Sequence, residues 1–185
     1  MSLKSTYEAE ELIADKIQSR LDNSTITNMK WQDYVEVDGL KLTDEQQQIL
    51  QTAQDNGVTI LTGSAGSGKT NTMKALIYML EAHGYSYTML CPTGTAAKVL
   101  SKATGRHAST IHMFLATNDE CGDFLILEES SMIGVELLAM LLGSVPKSTK
   151  IIFICDPSQL PPISCGNIVH YLLDSHILHN FIVTT

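Results

Sequence analysis

The sequence has few arginines, few cysteines and no long hydrophobic run. Only two arginines occur among 185 residues and the net charge is −8, which argues against a general nucleic-acid binder with a basic surface. The four cysteines form no Cys-x-x-Cys pair, so free thiols in a reducing compartment are favoured over a zinc site or disulfides. No apolar stretch reaches the length of a membrane span, and the N-terminus lacks a signal-peptide core. We therefore expect a cytoplasmic protein that does not contact membranes.

One stretch departs from the acidic character of the chain. Residues 82–118 contain Lys98, Lys102 and Arg106 and no acidic residue. A basic face on an acidic protein can follow a phosphate backbone. Three basic residues can equally form the solvated side of a helix, and charge alone favours that simpler interpretation.

The chain has the length of one domain, and its pattern alternates between strands and helices. Residues 6–21 are predicted to be a helix, residues 22–41 a linker with a turn at Asp38-Gly39, and residues 43–56 a helix capped by Thr43. Strands are predicted at 58–62, 86–91, 123–128, 150–155 and 181–185, and helices at 69–83, 94–103, 109–116, 135–143 and 167–176. This order predicts an α/β fold, with a parallel sheet covered by helices on both faces.

A glycine-rich segment, GSAGSGKT, lies between the first strand of this series and its helix. It matches the pattern G-x-x-x-x-G-K-[ST] in the strand-to-helix context that a P-loop requires. Glycines let the backbone curl around phosphate, and backbone N–H groups at a helix start face the anion. Lysine reaches the outer phosphates, and the threonine hydroxyl coordinates Mg²⁺. The predicted nucleotide-binding residues are Gly63, Ser64, Ala65, Gly66, Ser67, Gly68, Lys69 and Thr70.

Two adjacent acids, Glu128 and Glu129, end the buried strand LILEE. Ligands of parallel α/β sheets bind at the carboxyl ends of the strands. A P-loop enzyme needs an acidic element there to hold the metal and to orient water. We assign Glu128, with Thr70, to Mg²⁺ and Glu129 to the attacking water.

A third strand ends in CDPSQLPP, residues 155–162. Asp156 ends the apolar run, and Gln159 is a neutral amide that can respond to a γ-phosphate without adding charge. We place Gln159 with Lys69 and Glu129 in the predicted catalytic set. Alone, this proline-rich stretch would be typical of an ordinary turn.

Together these segments resemble superfamily 1 helicases, and most closely the RecD-like branch, the exodeoxyribonuclease V alpha-subunit family. LTDEQQQIL resembles the family's adenine-side segment, with Gln46 at the matching position. GSAGSGKT, CPTGTAAKVL, ATGRHASTIH, LILEESSM and CDPSQLPP resemble motifs I, Ia, Ib, II and III, in the family's order.

The resemblance implies an ATP- and Mg²⁺-dependent motor that moves 5′-to-3′ along single-stranded DNA and can work with helicase–nuclease partner subunits. It implies a P-loop NTPase (RecA-like) fold, with residues 1–40 as an N-terminal helical segment and linker and residues 41–185 as the first RecA-like domain. A second such domain is not present in the sequence, so we expect the chain to be a fragment. The implied DNA-path residues are Pro92, Thr93, Gly94, Lys98, Thr110 and His112.

Several positions depart from the family pattern. Glu128 stands where the family usually has aspartate, Cys155 where it usually has glycine, and Ser158 where it usually has an acid. The stretch from Phe114 to Asp123 is also shorter than the resemblance implies. Two other interpretations stay open: a P-loop kinase for a small molecule or nucleotide, although such kinases usually need several arginines, and a non-catalytic module with a degenerate nucleotide site.

Overall fold

A computed structural model describes residues 3–22, 26–64, 66–156 and 180–182. Its α-helices there are α1 (Leu3–Asp22), α2 (Asp44–Asp55), α3 (Lys69–Ala82), α4 (Gly94–Thr104), α5 (Ile111–Thr117) and α6 (Val135–Ser144). Its strands are β1 (Glu36–Val37), β2 (Leu40–Lys41), β3 (Val58–Thr62), β4 (Tyr87–Cys91), β5 (Ser109–Thr110), β6 (Phe124–Leu127), β7 (Lys150–Cys155) and β8 (Asn180–Ile182). Two 3-10 helices span Trp31–Tyr34 and Ser130–Met132. The predicted helix at 167–176 lies outside the described residues.

Six of the described strands form the central parallel sheet, in the order β5-β4-β6-β7-β3-β8. Side chains alternate along each strand, so Leu61 of β3 packs on one face with α2, α3 and α4, whereas Ile60 packs on the other with α1, α5 and α6. The predicted α/β fold with helices on both faces is therefore confirmed. No described helix is both long and apolar enough to cross a membrane.

The strand order positions the functional segments. All six strands run in the same direction, so their carboxyl ends lie at one edge of the sheet. β3, β7 and β6 are neighbours there, which places the P-loop, Asp156 and the two glutamates next to one another. β4 and β5 follow on the far side of β6, so the segments after them continue the same edge.

The predicted linker, residues 22–41, contains more structure than its polar sequence suggests. β1 and β2 form an antiparallel hairpin whose two-residue loop, Asp38-Gly39, has φ angles of 52° and 77°. Left-handed residues at both loop positions favour this tight hairpin. Asp38 also pairs with Lys74 of α3 at 2.8 Å. The turn was predicted correctly, but strands of two residues are too short to give a periodic signal.

The N-terminal helix is held to the rest of the molecule by a buried arginine. Arg20 is only 2% exposed, and its guanidinium donates to the carbonyl oxygens of Lys16, Val145, Pro146 and Thr149 at 2.7–3.3 Å. Burial lowers the pKa of Arg20 from its usual value. The carbonyls of Val145 and Pro146 come directly after the end of α6, where a helix favours a cation. These hydrogen bonds fix α1 to α6. The predicted boundary near residue 40, between an N-terminal helical segment and the RecA-like domain, stays a prediction.

We expect Arg20→Met to lower the free energy of unfolding by about 2–4 kcal/mol, because it leaves several buried carbonyls unpaired. Chemical denaturation measures the effect. Lys16→Met removes a positive charge from the same helix, and since the Lys16 side chain makes no comparable contact, we expect a change of about 0.5 kcal/mol or less. Equal effects of the two substitutions would contradict the role given to Arg20.

Candidate functional site

The P-loop bridges β3 and α3 at the carboxyl edge of the sheet. Gly66 and Gly68 have φ angles of 85° and 82°, a left-handed conformation that glycine adopts without strain. The amide of Gly63 donates to the Cys155 carbonyl of the neighbouring strand at 3.3 Å. The strand–loop–helix context is the predicted one; Ala65 lies outside the described residues.

Lys69 is the first residue of α3, and its ammonium folds back over the loop. It donates to the carbonyl oxygens of Gly63 and Ser64, the latter at 2.8 Å. Its Nζ atom also lies 3.6 Å from Asp156 Oδ2, and both side chains are mostly buried. The lysine therefore joins the P-loop to the end of β7, a pairing that the sequence analysis did not predict.

Gln46 supports the P-loop from behind. Its Oε1 atom accepts a hydrogen bond from the Thr43 amide at 2.9 Å, and the Thr43 hydroxyl accepts one from the Gln46 amide. Its Nε2 atom donates to the Ser67 carbonyl at 3.1 Å. The T-x-x-Q spacing of a capping box could have indicated the first contact. The predicted adenine contact of Gln46 stays a prediction.

We expect Gly68→Ala to weaken nucleotide binding more than Gly66→Ala. Both substitutions force alanine into a left-handed conformation, at a similar cost of about 1–2 kcal/mol. A Cβ atom at Gly68 would lie 2.4 Å from Gln46 Nε2, whereas a Cβ atom at Gly66 would meet nothing within 4 Å. Titration with a fluorescent ATP analogue separates the two effects. Equal losses of affinity would show that backbone strain alone weakens binding and that contact with the Gln46 side chain has no further effect.

The acid pair follows β6 directly. The Glu128 amide donates to the Leu90 carbonyl of β4 at 3.0 Å, which extends the sheet by one residue. Glu129 then has a φ of 53°, an uncommon conformation for this residue type and one that is concentrated at functional sites. Burial, and then the charge of Glu129, raise the pKa of Glu128 to about 7, while Lys69 opposes the rise.

An open pocket of ≈ 370 Å³ contains most of the predicted nucleotide-site residues. Its lining consists of Ser64, Gly66, Gly68, Lys69, Thr70, Asn71, Glu128, Glu129, Ile154, Cys155 and Asp156. Gln159 lies outside the described residues. The predicted roles of Lys69, Thr70, Glu128 and Glu129 stay predictions, but the fold brings these side chains to one pocket.

The chemistry of the pocket fits a phosphate chain together with a divalent cation. Glu128, Glu129 and Asp156 contribute three carboxylates, and Lys69 contributes the one ammonium of the described lining. This excess of negative charge favours a cation. No three acidic, histidine or cysteine side chains of the described ranges could hold a metal ion by themselves. Mg²⁺ usually needs only one or two carboxylates when phosphates supply further oxygens.

The predicted DNA-path residues lie along the same edge of the sheet. Cys91 of β4 pairs with Thr110 of β5, so the following segments run side by side. The Thr93 and Thr110 hydroxyls cap α4 and α5, accepting from the amides of Ala96 and Met113 at 3.2 and 3.1 Å. Gly94, Lys98 and His112 are exposed and Pro92 is half-buried. Their DNA contacts stay predictions.

The basic stretch is only partly available to phosphate. Arg106 donates to both carboxylate oxygens of Glu81, at 2.6 and 2.8 Å, and the Tyr87 hydroxyl donates to the same carboxylate at 2.6 Å. Arg106, followed by Tyr87, lowers the pKa of Glu81 to about 2. Lys98 and Lys102 remain exposed on α4, so they are the better candidates for a backbone contact.

A second groove, of ≈ 200 Å³, connects the acid pair with α4. Thr70, Glu128 and Glu129 line both this groove and the nucleotide pocket. Thr93 and Val99 line its other end. The predicted nucleotide site and the start of the predicted DNA path are therefore adjacent, with the two glutamates between them.

Comparison with known proteins agrees with this geometry. Residues 41–181 match the family model described as an AAA domain. The chain belongs to this family. The AAA domain is similar to the ATP-dependent RecD2 DNA helicase of Deinococcus radiodurans, with 35% identity over 135 residues that cover 68% of the chain and 19% of the relative. The RecBCD enzyme subunit RecD of Mycolicibacterium smegmatis is 26% identical over 167 residues, covering 71% of the chain and 30% of the relative.

Solved structures support the fold of this AAA domain. A crystal structure of Bacteroides Pif1 bound to single-stranded DNA matches with a TM-score of 0.56 and 22% identity, covering 79% of the chain and 42% of that protein. The structure of Pif1 helicases at forked double-stranded DNA gives a TM-score of 0.58 with 21% identity, covering 79% of the chain and 44% of that protein. The resemblance to RecD-like superfamily 1 helicases is confirmed. The chain spans less than half of each of these four proteins.

Proposed function

We propose that this chain is the first RecA-like motor domain of an ATP-dependent DNA helicase or translocase. The observation that supports this most strongly is the alignment along one sheet edge. The P-loop, Asp156, the acid pair and Thr93 follow β3, β7, β6 and β4 in their spatial order, and Thr110 ends β5 beside β4. A nucleotide site and a strand-binding face that share an edge can influence each other through short segments.

The pocket residues are proposed to have separate roles in binding the phosphates, holding Mg²⁺ and activating water. Backbone N–H groups of the glycine-rich loop and the Lys69 ammonium bind phosphates, and Lys69 would exchange its carbonyl contacts for phosphate oxygens. Thr70 and Glu128 would hold Mg²⁺, which when bound neutralises charge on the phosphates. Glu129 accepts a proton from, or orients, the attacking water. Gln159 is proposed to respond to the γ-phosphate.

Single-stranded DNA is the proposed partner along the ends of β4 and β5. Pro92, Thr93, Gly94, Lys98, Thr110 and His112 are proposed to contact it, with Lys98 on the phosphates and His112 on a base. One relative is named a RecBCD enzyme subunit, which supports partner subunits. The free cysteines among the described residues, Cys91, Cys121 and Cys155, agree with the proposed cytoplasmic location.

We expect His112→Ala in the whole protein to raise the single-stranded DNA concentration needed for half-maximal stimulation of ATP hydrolysis by about fivefold or more. Hydrolysis without DNA should not change. His107→Ala is the matched control, because His107 is also exposed but precedes β5 and lines a different groove with Arg106. Measurement of the ATPase rate against oligonucleotide concentration tests this. The proposed DNA path is wrong if both variants keep the wild-type dependence on DNA.

A further inference from the structure

Ser130 makes a buried contact that the proposed function does not use. It follows Glu129 at the start of the second 3-10 helix and is 0% exposed. Its hydroxyl donates to the Ile154 carbonyl of β7 at 2.9 Å. Ile154 itself, and the next two residues, Cys155 and Asp156, line the nucleotide pocket.

The contact stands where the sheet pairing stops. β6 and β7 pair in register as far as Leu127 and Phe153. β7 continues to Cys155, while the segment after β6 turns away at Glu129, which has a φ of 53°. A buried carbonyl beyond this point needs a new donor, and the Ser130 hydroxyl supplies one to Ile154.

The acid pair is therefore fixed from both sides. On the β4 side, the Glu128 amide donates to the Leu90 carbonyl at 3.0 Å. On the β7 side, the contact between Ser130 and Ile154 holds the residue after Glu129. β7 also presents Asp156, which lies 3.6 Å from Lys69. The hydrogen bond from Ser130 to Ile154 therefore connects the acid pair to the end of β7, where Asp156 contacts the P-loop lysine.

We propose that Ser130 is a positioning residue that sets the distance between the acid pair and the end of β7. This inference rests on the proposed nucleotide site. Without the hydroxyl, the turn at Glu129 loses its link to β7, and the position of Glu128, which lines the pocket together with Thr70, is less firmly fixed. The loss should affect the binding of Mg²⁺ with nucleotide more than the binding of nucleotide alone, which depends on the P-loop.

The test uses Ser130→Ala in the whole protein with a fluorescent, non-hydrolysable ATP analogue. We expect the Mg²⁺ concentration for half-maximal effect on binding to rise about tenfold, as for other residues that orient metal ligands. Affinity measured in EDTA should stay within about twofold of wild type. Ser130→Cys keeps a weaker donor of similar size. Its Mg²⁺ concentration for half-maximal effect should lie between those of wild type and Ser130→Ala.

Thr149→Val is the matched control. Thr149 is 3% exposed, and its hydroxyl donates to the Gly122 carbonyl at 3.0 Å. This contact joins the segments before β6 and β7 at the opposite edge of the sheet, far from the pocket. Both variants lose one hydroxyl–carbonyl hydrogen bond of a buried residue, so both should lower the thermal unfolding temperature, but Thr149→Val should keep the wild-type dependence on Mg²⁺.

The outcomes separate the two proposals. Equal Mg²⁺ dependence of the two variants, or an unchanged dependence in Ser130→Ala, overturns the role of Ser130. Lys69→Ala serves as the reference for the site itself. If wild type and Lys69→Ala bind the analogue equally, the proposed nucleotide site fails. If Lys69→Ala loses binding while Ser130→Ala keeps the wild-type dependence on Mg²⁺, the site stands and only the inference about Ser130 is wrong.

Discussion

Lys69→Ala should lower the affinity for Mg-ATP by about 100-fold or more, which makes it one of the two largest effects expected here. A charge-assisted hydrogen bond is typically worth about 1.5–3 kcal/mol, and the lysine also offsets the three carboxylates of the pocket. Without it, Glu128, Glu129 and Asp156 would face the phosphates with no ammonium among the described lining residues. Like charges would then oppose binding.

Lys74→Ala is the control for this substitution. Lys74 lies five residues later on the same helix and pairs with Asp38 at 2.8 Å, away from the pocket. Lys74→Ala removes the same charge from α3, and we expect this substitution to change nucleotide affinity by less than about twofold. Isothermal titration of both variants decides the question, and comparable losses would mean that general charge, rather than the P-loop contact, controls binding.

Glu129→Gln should block ATP turnover in the whole protein while leaving nucleotide binding intact. Glutamine keeps the size of the side chain and the hydrogen-bonding reach, but it cannot accept the proton from water. General-base catalysis typically contributes about 10²–10⁴-fold, so we expect the DNA-stimulated turnover number to fall by that factor. Affinity for a non-hydrolysable analogue should change little.

The two glutamates should respond differently. Glu128→Asp should leave nucleotide binding intact, because a shorter carboxylate can still reach a cation directly or through water. Glu136→Gln, on the first turn of α6, is a control for loss of an acid outside the pocket and should keep full turnover. Normal turnover by Glu129→Gln would show that the division of roles between the two acids is wrong.

Local sequence signals predicted the elements that position the site. The alternation of apolar segments gave β3, β4, β6 and β7 to within a residue or two of their ends, and Thr43 marked the start of α2. The P-loop was predicted because its spacing and its strand-to-helix context are both local. The carboxyl ends of parallel strands then had to share an edge.

The contacts between distant segments could not be predicted in this way. Lys69 and Asp156 meet because β3 lies beside β7, and strand order is not encoded in the periodicity of either strand. The contacts of Arg106 with Glu81 and of Arg20 with the carbonyls after α6 also join segments that are distant in the sequence, so no local pattern predicts them. The left-handed conformation of Glu129 gave no signal, because glutamate is not a typical turn residue.

The most direct test of a DNA motor is displacement of streptavidin from a biotinylated single-stranded oligonucleotide by the whole protein. With ATP and Mg²⁺, we predict displacement from the 3′ end and little from the 5′ end, as expected for 5′-to-3′ movement. Glu129→Gln should abolish the displacement. ATP hydrolysis without displacement from either end, or transfer of phosphate to a small acceptor instead, would contradict the account.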